Sequence, residues 1–276
     1  MTDARAIDLN ALWDYRDPAA SEARLREALA GARGDDALIL QTQIARSFGL
    51  RRDFERARAL LREIEPQLPG AGPEARVRYQ LELGRTQASA THTPQQITPQ
   101  AAQAARQAFE AAARLAREAR LDALQIDAIH MMAFLDPAPA EQLHWGREAL
   151  AVVLATDQPA ARRWEASVRH NIGLALHGLG RHAEALQAFE ASLALREQGS
   201  NAEATRVARW MVAWTLRSLQ RSDEALAIQL RLEREGQAAG QPDPHVFDEL
   251  AALYRALGDS ARAAHYATLA QTARQR

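Results

Sequence analysis

The stretch HNIGLALHGLGRHAEALQAF, His170–Phe189, sets a small residue, a large one, a turn, an alanine and an aromatic at Gly173, Leu176, Gly180, Ala185 and Phe189. At about 3.6 residues per turn, Gly173 and Leu176 share one helix face. Gly180 suits the left-handed residue that commonly ends a helix, and Ala185 leaves room for a second helix to cross closely. Phe189 follows one turn later and fills the gap beside Gly173. The spacing predicts two helices joined by a tight turn. The three histidines invite a metal reading, but His170 and His177 are seven residues apart, which is about 10 Å along an axis and too far for adjacent-turn ligands. His182 falls past the turn.

The same spacing recurs along the chain. It appears as Ala45, Phe48, Ala57 and Leu61, then as LGRTQ from Leu83 followed, after THTPQQITP, by Ala105, Phe109 and Ala112. Further copies carry Ala128, Met131 and Ala140; Ala213, Leu216 and Ala225; and Ala251, Tyr254, Gly258 and Ala263. In five of the six copies the small residue and the second-helix alanine are 12 positions apart. A single amphipathic helix is common in any helical protein, but this recurrence marks a repeat array. Strand signals are nearly absent, and breaks fall at short Gly/Pro/Asn/Asp clusters such as Pro69–Pro73, Thr91–Pro99 and Asp136–Pro139.

On these residues the chain resembles the tetratricopeptide-repeat (TPR) proteins. The resemblance implies an all-α fold, a right-handed superhelical α-solenoid of antiparallel helix pairs, running as one body over 1–276. Residues 1–34 are then an N-terminal capping segment, with Ser21–Gly31 as an unpaired helix. The repeats fall at about 38–69, 77–120, 121–156, 166–200, 206–240 and 244–276.

Composition removes several function classes. The net charge is −1 with 25% charged residues, so bulk electrostatics imply neither nucleic acid nor an anionic membrane as partner. All 34 basic residues are arginine. Without lysine there is no Walker-type phosphate loop, Schiff base or Ser-Lys nucleophile, and with no cysteine there is no thiolate chemistry, disulfide or cysteine metal site. HExxH and GxSxG motifs are missing as well. The N-terminus MTDARAIDLNALWDYRD mixes charges into its apolar residues and does not read as a signal peptide, and no apolar run approaches the ~20 residues of a membrane span. A cytoplasmic, bacterial-type scaffold with no catalytic residue, metal or cofactor is the expectation.

If Gly173 and its equivalents are position 8 of each first helix, positions 2, 5, 9 and 12 point away from the core side. In the TPR family that face lines a concave, peptide-holding groove. The resemblance assigns it to Ile39, Thr42, Arg46 and Gly49; Arg78, Leu81, Arg85 and Ala88; Asp122, Gln125, Ile129 and Met132; Ser167, His170, Leu174 and His177; Val207, Trp210, Trp214 and Arg217; and His245, Asp248, Ala252 and Arg255. Three histidines and two tryptophans stand in this set where the composition predicts about 0.7 and about 0.4. Arginine gives five against about 3. Tryptophan and arginine frequently anchor interfaces. The candidate contacts are therefore Arg46, Arg78, Arg85, His170, Asn171, His177, Trp210, Trp214, Arg217 and Arg255. The expected partner is a protein or peptide, acidic with apolar anchors. Two plainer readings stand beside this one: Trp210 and Trp214 pack against the next repeat, and the arginines form a solvated face.

A carboxylate clamp of the kind used by chaperone adaptors is not matched. Asn171 occupies its position 6, but the preceding repeat offers Gln125 and Ile129 and the following one Val207 and Met211. The third repeat departs from the pattern. Asp127 falls at a core position and His144 stands where Phe189 stands one repeat later, so a buried Asp127–His144 polar pair is expected, joined by Arg147. The same region, with His130 and Glu141, has carboxylate–imidazole spacing seen in helix-bundle metal sites, but with fewer ligands than a di-iron centre needs. The function expected is a non-catalytic binding scaffold. The alternatives are a peptide-sensing regulator acting through a partner, or a scaffold that self-associates through Tyr266 and Leu269. The chain is then a monomer or a homodimer.

Overall fold

The computed structural model describes residues 7–275. Its described residues form helices and turns without strands, in two compact units. The first comprises the chain through Pro137 together with Ala151–Arg162, and the second Ala138–Leu150 together with Arg163 onward. Unit 1 begins with the short α1 (Leu9–Leu12) and the unpaired α2 (Pro18–Gly31), then stacks α3 (Gly34–Leu50) on α4 (Phe54–Ile64), α5 (Pro73–Gln87) on α6 (Pro99–Glu118), and adds α7 (Asp122–Leu135). The helix α8 (Pro139–Ala155) contributes to both units, and the short α9 (Pro159–Arg162) packs on α7. Unit 2 holds three pairs: α10 (Glu165–Gly178) with α11 (His182–Glu197), α12 (Ala202–Ser218) with α13 (Ser222–Ala238), and α14 (Pro244–Ala256) with α15 (Ser260–Arg274).

Four of the turns inside the pairs share one construction. The amide of the residue eight past the small position donates to the carbonyl three past it: Asp53 to Phe48 at 2.9 Å, Arg181 to Leu176 at 2.9 Å, Arg221 to Leu216 at 3.0 Å and Asp259 to Tyr254 at 2.9 Å. This is the bond that closes a helix through a left-handed residue. That residue is Gly180 (φ 72°) and Gly258 (φ 80°) in two turns, but Arg52 (φ 65°) and Gln220 (φ 60°) in the other two. A side chain in this conformation costs about 1–2 kcal/mol, so the backbone bond and the packing of the pair outweigh the local preference.

Pair packing turns on the small residue of the first helix. A Cβ on Gly173 would sit 2.6 Å from the Phe189 ring, and one on Gly84 would sit 2.4 Å from the Phe109 ring. Both phenylalanines are fully buried. The first pair reaches the same end differently, with Ala45 and Leu61 buried in one cluster. The fifth copy sets Gln229 at the aromatic position; it is fully buried, and neither atom of its amide has a partner among the described residues.

Caps agree with the sequence at several starts. The side chains of Asp17, Thr98, Asn201 and Asp259 accept backbone N–H bonds from Ala20, Ala101, Ala204 and Arg262 at 2.9, 3.2, 3.0 and 2.9 Å. These bonds satisfy donors that a helix start leaves open.

Candidate binding face

The face at positions 2, 5, 9 and 12 differs between the units. In unit 1 it is closed: Ile39, Thr42, Leu81, Ala88, Gln125, Ile129 and Met132 are all buried. Ile39 belongs to the cluster onto which Ile7, Leu9, Leu12 and Trp13 of the N-terminal segment pack. Trp13 Nε1 donates to Gln43 Oε1 at 3.0 Å, and the Tyr15 ring lies 5.7 Å from the Arg46 guanidinium carbon.

The arginines assigned to this face in unit 1 are occupied by acids. Arg46 reaches Glu82 at 3.2 Å, Glu82 takes Arg85 at 2.6 Å, and Arg85 continues to Asp127 at 2.5 Å. Arg78 pairs with Glu74 at 2.8 Å. Burial opposes charge on Arg85, but Asp127 and Glu82 outweigh it and raise its pKa. Burial likewise opposes the Asp127 carboxylate, and Arg85, then Arg46, hold it below the usual carboxylate range. Asp127, expected to pair with His144, has Arg85 as its ion-pair partner. Asp127 finds Arg85, whereas the His144 side chain is 61% exposed, with Glu148 at 3.8 Å and the Trp145 ring at 4.8 Å. A guanidinium satisfies a buried carboxylate with charge as well as hydrogen bonds, which a neutral imidazole does not. Arg147 lies near Glu184 instead. No group of three or more His, Asp or Glu side chains among the described residues is arranged to hold a metal ion.

Unit 2 keeps the face open. Leu174 is 39% and Val207 45% exposed, His245 and Arg255 are exposed, and His170, Asn171, His177, Trp210, Trp214 and Arg217 are half-buried. The centre is a stack of three rings. His177 lies on Trp214 with centroids 3.4 Å apart and planes 19° apart, and Trp214 lies on Trp210 at 5.9 Å and 19°. The rings come from position 12 of one repeat and positions 9 and 5 of the next, which two antiparallel pairs bring side by side. His177 Nε2 meets Ser218 Oγ at 3.0 Å, and the His182 ring stands 4.4 Å away. Burial, then the neighbouring His182 and Arg217, push the His177 pKa down to about 4, so the ring is neutral near pH 7. His170 packs edge-on against Phe189 at 5.6 Å, and burial with Arg196 lowers its pKa too.

Trp214, flanked on both sides, is a filler. Trp210 is different, because beside it opens a cavity of about 290 Å³ lined by Arg206, Val207, Trp210, Met211, Asp243, His245 and Val246. Its indole Nε1 already donates to the His245 carbonyl at 3.2 Å, so the ring offers only apolar surface. Next to the stack, Arg217 makes two bonds of 2.8 and 2.9 Å to the buried Glu249 carboxylate, which raises the Arg217 pKa. Of the arginines assigned to the face, Arg46, Arg78, Arg85 and Arg217 are thus already neutralised, and Arg255 is the exposed one. Sequence reasoning missed Arg206, Met211, Asp243 and Val246. Arg206, Met211 and Val246 lie next to assigned positions and Asp243 is the cap of α14, and they enter the site only because α12 and α14 meet at that depth.

Comparison with known proteins bears on the fold. Residues 164–233, which carry the stacked rings, match the tetratricopeptide-repeat family model. A search of curated protein sequences found no match. Among solved structures the chain is similar to a signal-transduction ATPase with numerous domains and a tetratricopeptide-repeat sensor from Pyrococcus horikoshii, at 12% identity over 92% of this chain and 39% of that one, TM-score 0.72. It spans about two fifths of that protein's length. It is also similar to kinesin-light-chain TPR-like repeats from Podosopora anserina (18% identity, 77% of this chain and 100% of that one, TM-score 0.55). A third is NprR in complex with its cognate peptide NprX (14%, 95% and 75%, TM-score 0.54). The fold is the tetratricopeptide-repeat fold.

Proposed function

We propose that unit 2 is a non-catalytic binding module that captures a peptide segment of another protein on the face formed by α10, α12 and α14. The observation that carries this is the apolar cavity beside the His177–Trp214–Trp210 stack, on the one stretch of the assigned face that stays open. NprR, which shares the fold, is known in complex with a peptide. Apolar anchoring comes first in this reading and charge second, because the paired arginines leave little uncompensated positive charge to attract an acidic partner. Trp210 and Val207 are the anchoring contacts, and Trp214 and His177 hold Trp210 in place.

The test is capture of a random decapeptide pool on the full chain, compared with Val207→Glu, which sets a charge at the cavity, and with Arg78→Gln in unit 1. The V207E chain should retain at least tenfold less peptide, and R78Q should match the unaltered chain. Equal retention by V207E and the unaltered chain would overturn the assignment.

A second reading, that binding is sensed and passed to a partner, is favoured by the sensor role named for the repeats of the Pyrococcus protein. It predicts that peptide binding changes the affinity of this chain for a second protein.

A further inference from the structure

We infer that the cavity between α12 and α14 holds the last residue of a partner peptide, with its apolar side chain inside and its free carboxylate on Arg206. The inference rests on the peptide-binding reading and specifies which part of the peptide seats there.

Size comes first. At about 290 Å³ the cavity lies at the lower limit of the ~300–1,000 Å³ typical of small-molecule sites, so it has room for one side chain of leucine or phenylalanine size rather than for a folded segment. Its walls come second. Val207, Met211 and Val246 are aliphatic or thioether side chains, and Trp210 has spent its one donor on the His245 carbonyl. An apolar group entering meets a wall that is almost wholly apolar, with the polar groups at its edge.

The edge decides which residue of a peptide fits. Arg206 gives one N–H to Asp243 Oδ2 at 2.9 Å and makes no other hydrogen bond or ion pair among the described residues. The other Asp243 oxygen caps α14 by accepting the His245 amide at 2.9 Å. Arg209, one turn along α12, is held by Glu197 at 2.9 Å and Glu235 at 3.5 Å. Arg206 is therefore the cation at this edge with donors to spare, while the Asp243 carboxylate and the His245 carbonyl already accept bonds. A residue inside a peptide offers the spare Arg206 donors only a neutral carbonyl, a weaker acceptor for a guanidinium than a carboxylate. A terminal carboxylate brings acceptors only, and a guanidinium fork receives it through two parallel N–H bonds.

The experiment uses the full chain and two random decapeptide pools, identical except that one ends in a free carboxylate and the other in an amide. Captured peptides are sequenced. The free-acid pool should be retained at least tenfold better, with Leu, Ile, Met or Phe enriched at the last position. Arg206→Gln should erase the difference between pools and Arg206→Lys should keep part of it, and the comparison on the unaltered chain decides the question whether or not R206Q folds. Equal retention of both pools, with apolar enrichment at an internal position, overturns the inference and leaves the peptide-binding reading standing. Retention of neither pool overturns both.

Discussion

Replacing Gly173 with alanine should destabilise the protein, although alanine is the better helix former by about 1 kcal/mol. The reason is the Phe189 ring. An added Cβ would meet three of its atoms at 2.6, 2.7 and 2.8 Å, whereas ordinary carbon contacts lie near 3.5–4.0 Å. The ring is fully buried and has to retreat by about 1 Å, and overpacking of this kind costs about 1–3 kcal/mol. Net of the gain in helix propensity, Gly173→Ala should cost about 0–2 kcal/mol. Phe189→Leu alone should cost about 1–2 kcal/mol through lost burial. Combined, the two changes recreate the pairing already present at Ala45 and Leu61, where both side chains share one buried cluster. The double variant should then be more stable than the sum of the singles by about 1–3 kcal/mol. Urea unfolding of the four chains, followed by far-ultraviolet circular dichroism, measures this coupling. Additivity within about 0.5 kcal/mol, or a stabilised G173A, would show that the close approach of α10 and α11 does not depend on the missing side chain.

Four further outcomes follow from named contacts. Gln229→Met removes two buried amide atoms that lack partners among the described residues and keeps a similar volume, so it should stabilise the chain by about 1–3 kcal/mol; a loss of stability on urea unfolding would mean the amide is hydrogen-bonded after all. Asp127→Asn removes the negative charge facing Arg85 while keeping an oxygen that can accept its bond, and should cost about 3 kcal/mol by the same assay, with no change expected in peptide retention. Gln220→Gly relieves a side chain at φ 60° and should raise stability by about 1 kcal/mol, visible as a higher melting temperature. His177 sets a pH dependence: its folded pKa is about 4 and an unfolded histidine titrates near ~6.5, so acidification across that window protonates the unfolded state first and stability is lost. His177→Phe keeps the stack on Trp214 and should flatten the stability profile between those values; an unchanged slope would place the acid sensitivity elsewhere.

Much of the architecture was legible in the residues because its determinants are local and repeat. Gly173, Gly180, Ala185 and Phe189 each serve a contact within one helix pair, and their spacing returns wherever a pair returns. Where the turn carries Arg52 or Gln220 instead of glycine, the rest of the pattern still locates it, and the same backbone bond forms. The candidate face was legible only in outline. Trp210, Trp214 and His177 share a face by helix periodicity, yet that Trp214 is sandwiched and Trp210 lines a cavity depends on how α10, α12 and α14 are offset. The surplus of arginine pointed to an acidic partner because a one-dimensional count cannot show that Glu74, Glu82, Asp127 and Glu249 stand opposite.

The sequence by itself determined the helix pairs, their turns and the identity of the side chains presented on each first helix. Helix periodicity and close packing between neighbours in the chain act over a few turns, and the recurring small–large–turn–alanine spacing records them. Tertiary structure decided which part of that face remains open and which charges remain uncompensated. The N-terminal segment, Trp13 included, packs on the cluster that contains Ile39, and the Arg46–Glu82–Arg85–Asp127 chain neutralises the same unit across three helices. In unit 2, α12 and α14 leave a space between Val207, Trp210 and Val246 with Arg206 at its edge. The contacts between helices span 30 to 42 residues of sequence, as in Trp13–Gln43 and Arg85–Asp127, and are set by the depth and offset at which helices meet, which neither periodicity nor composition encodes.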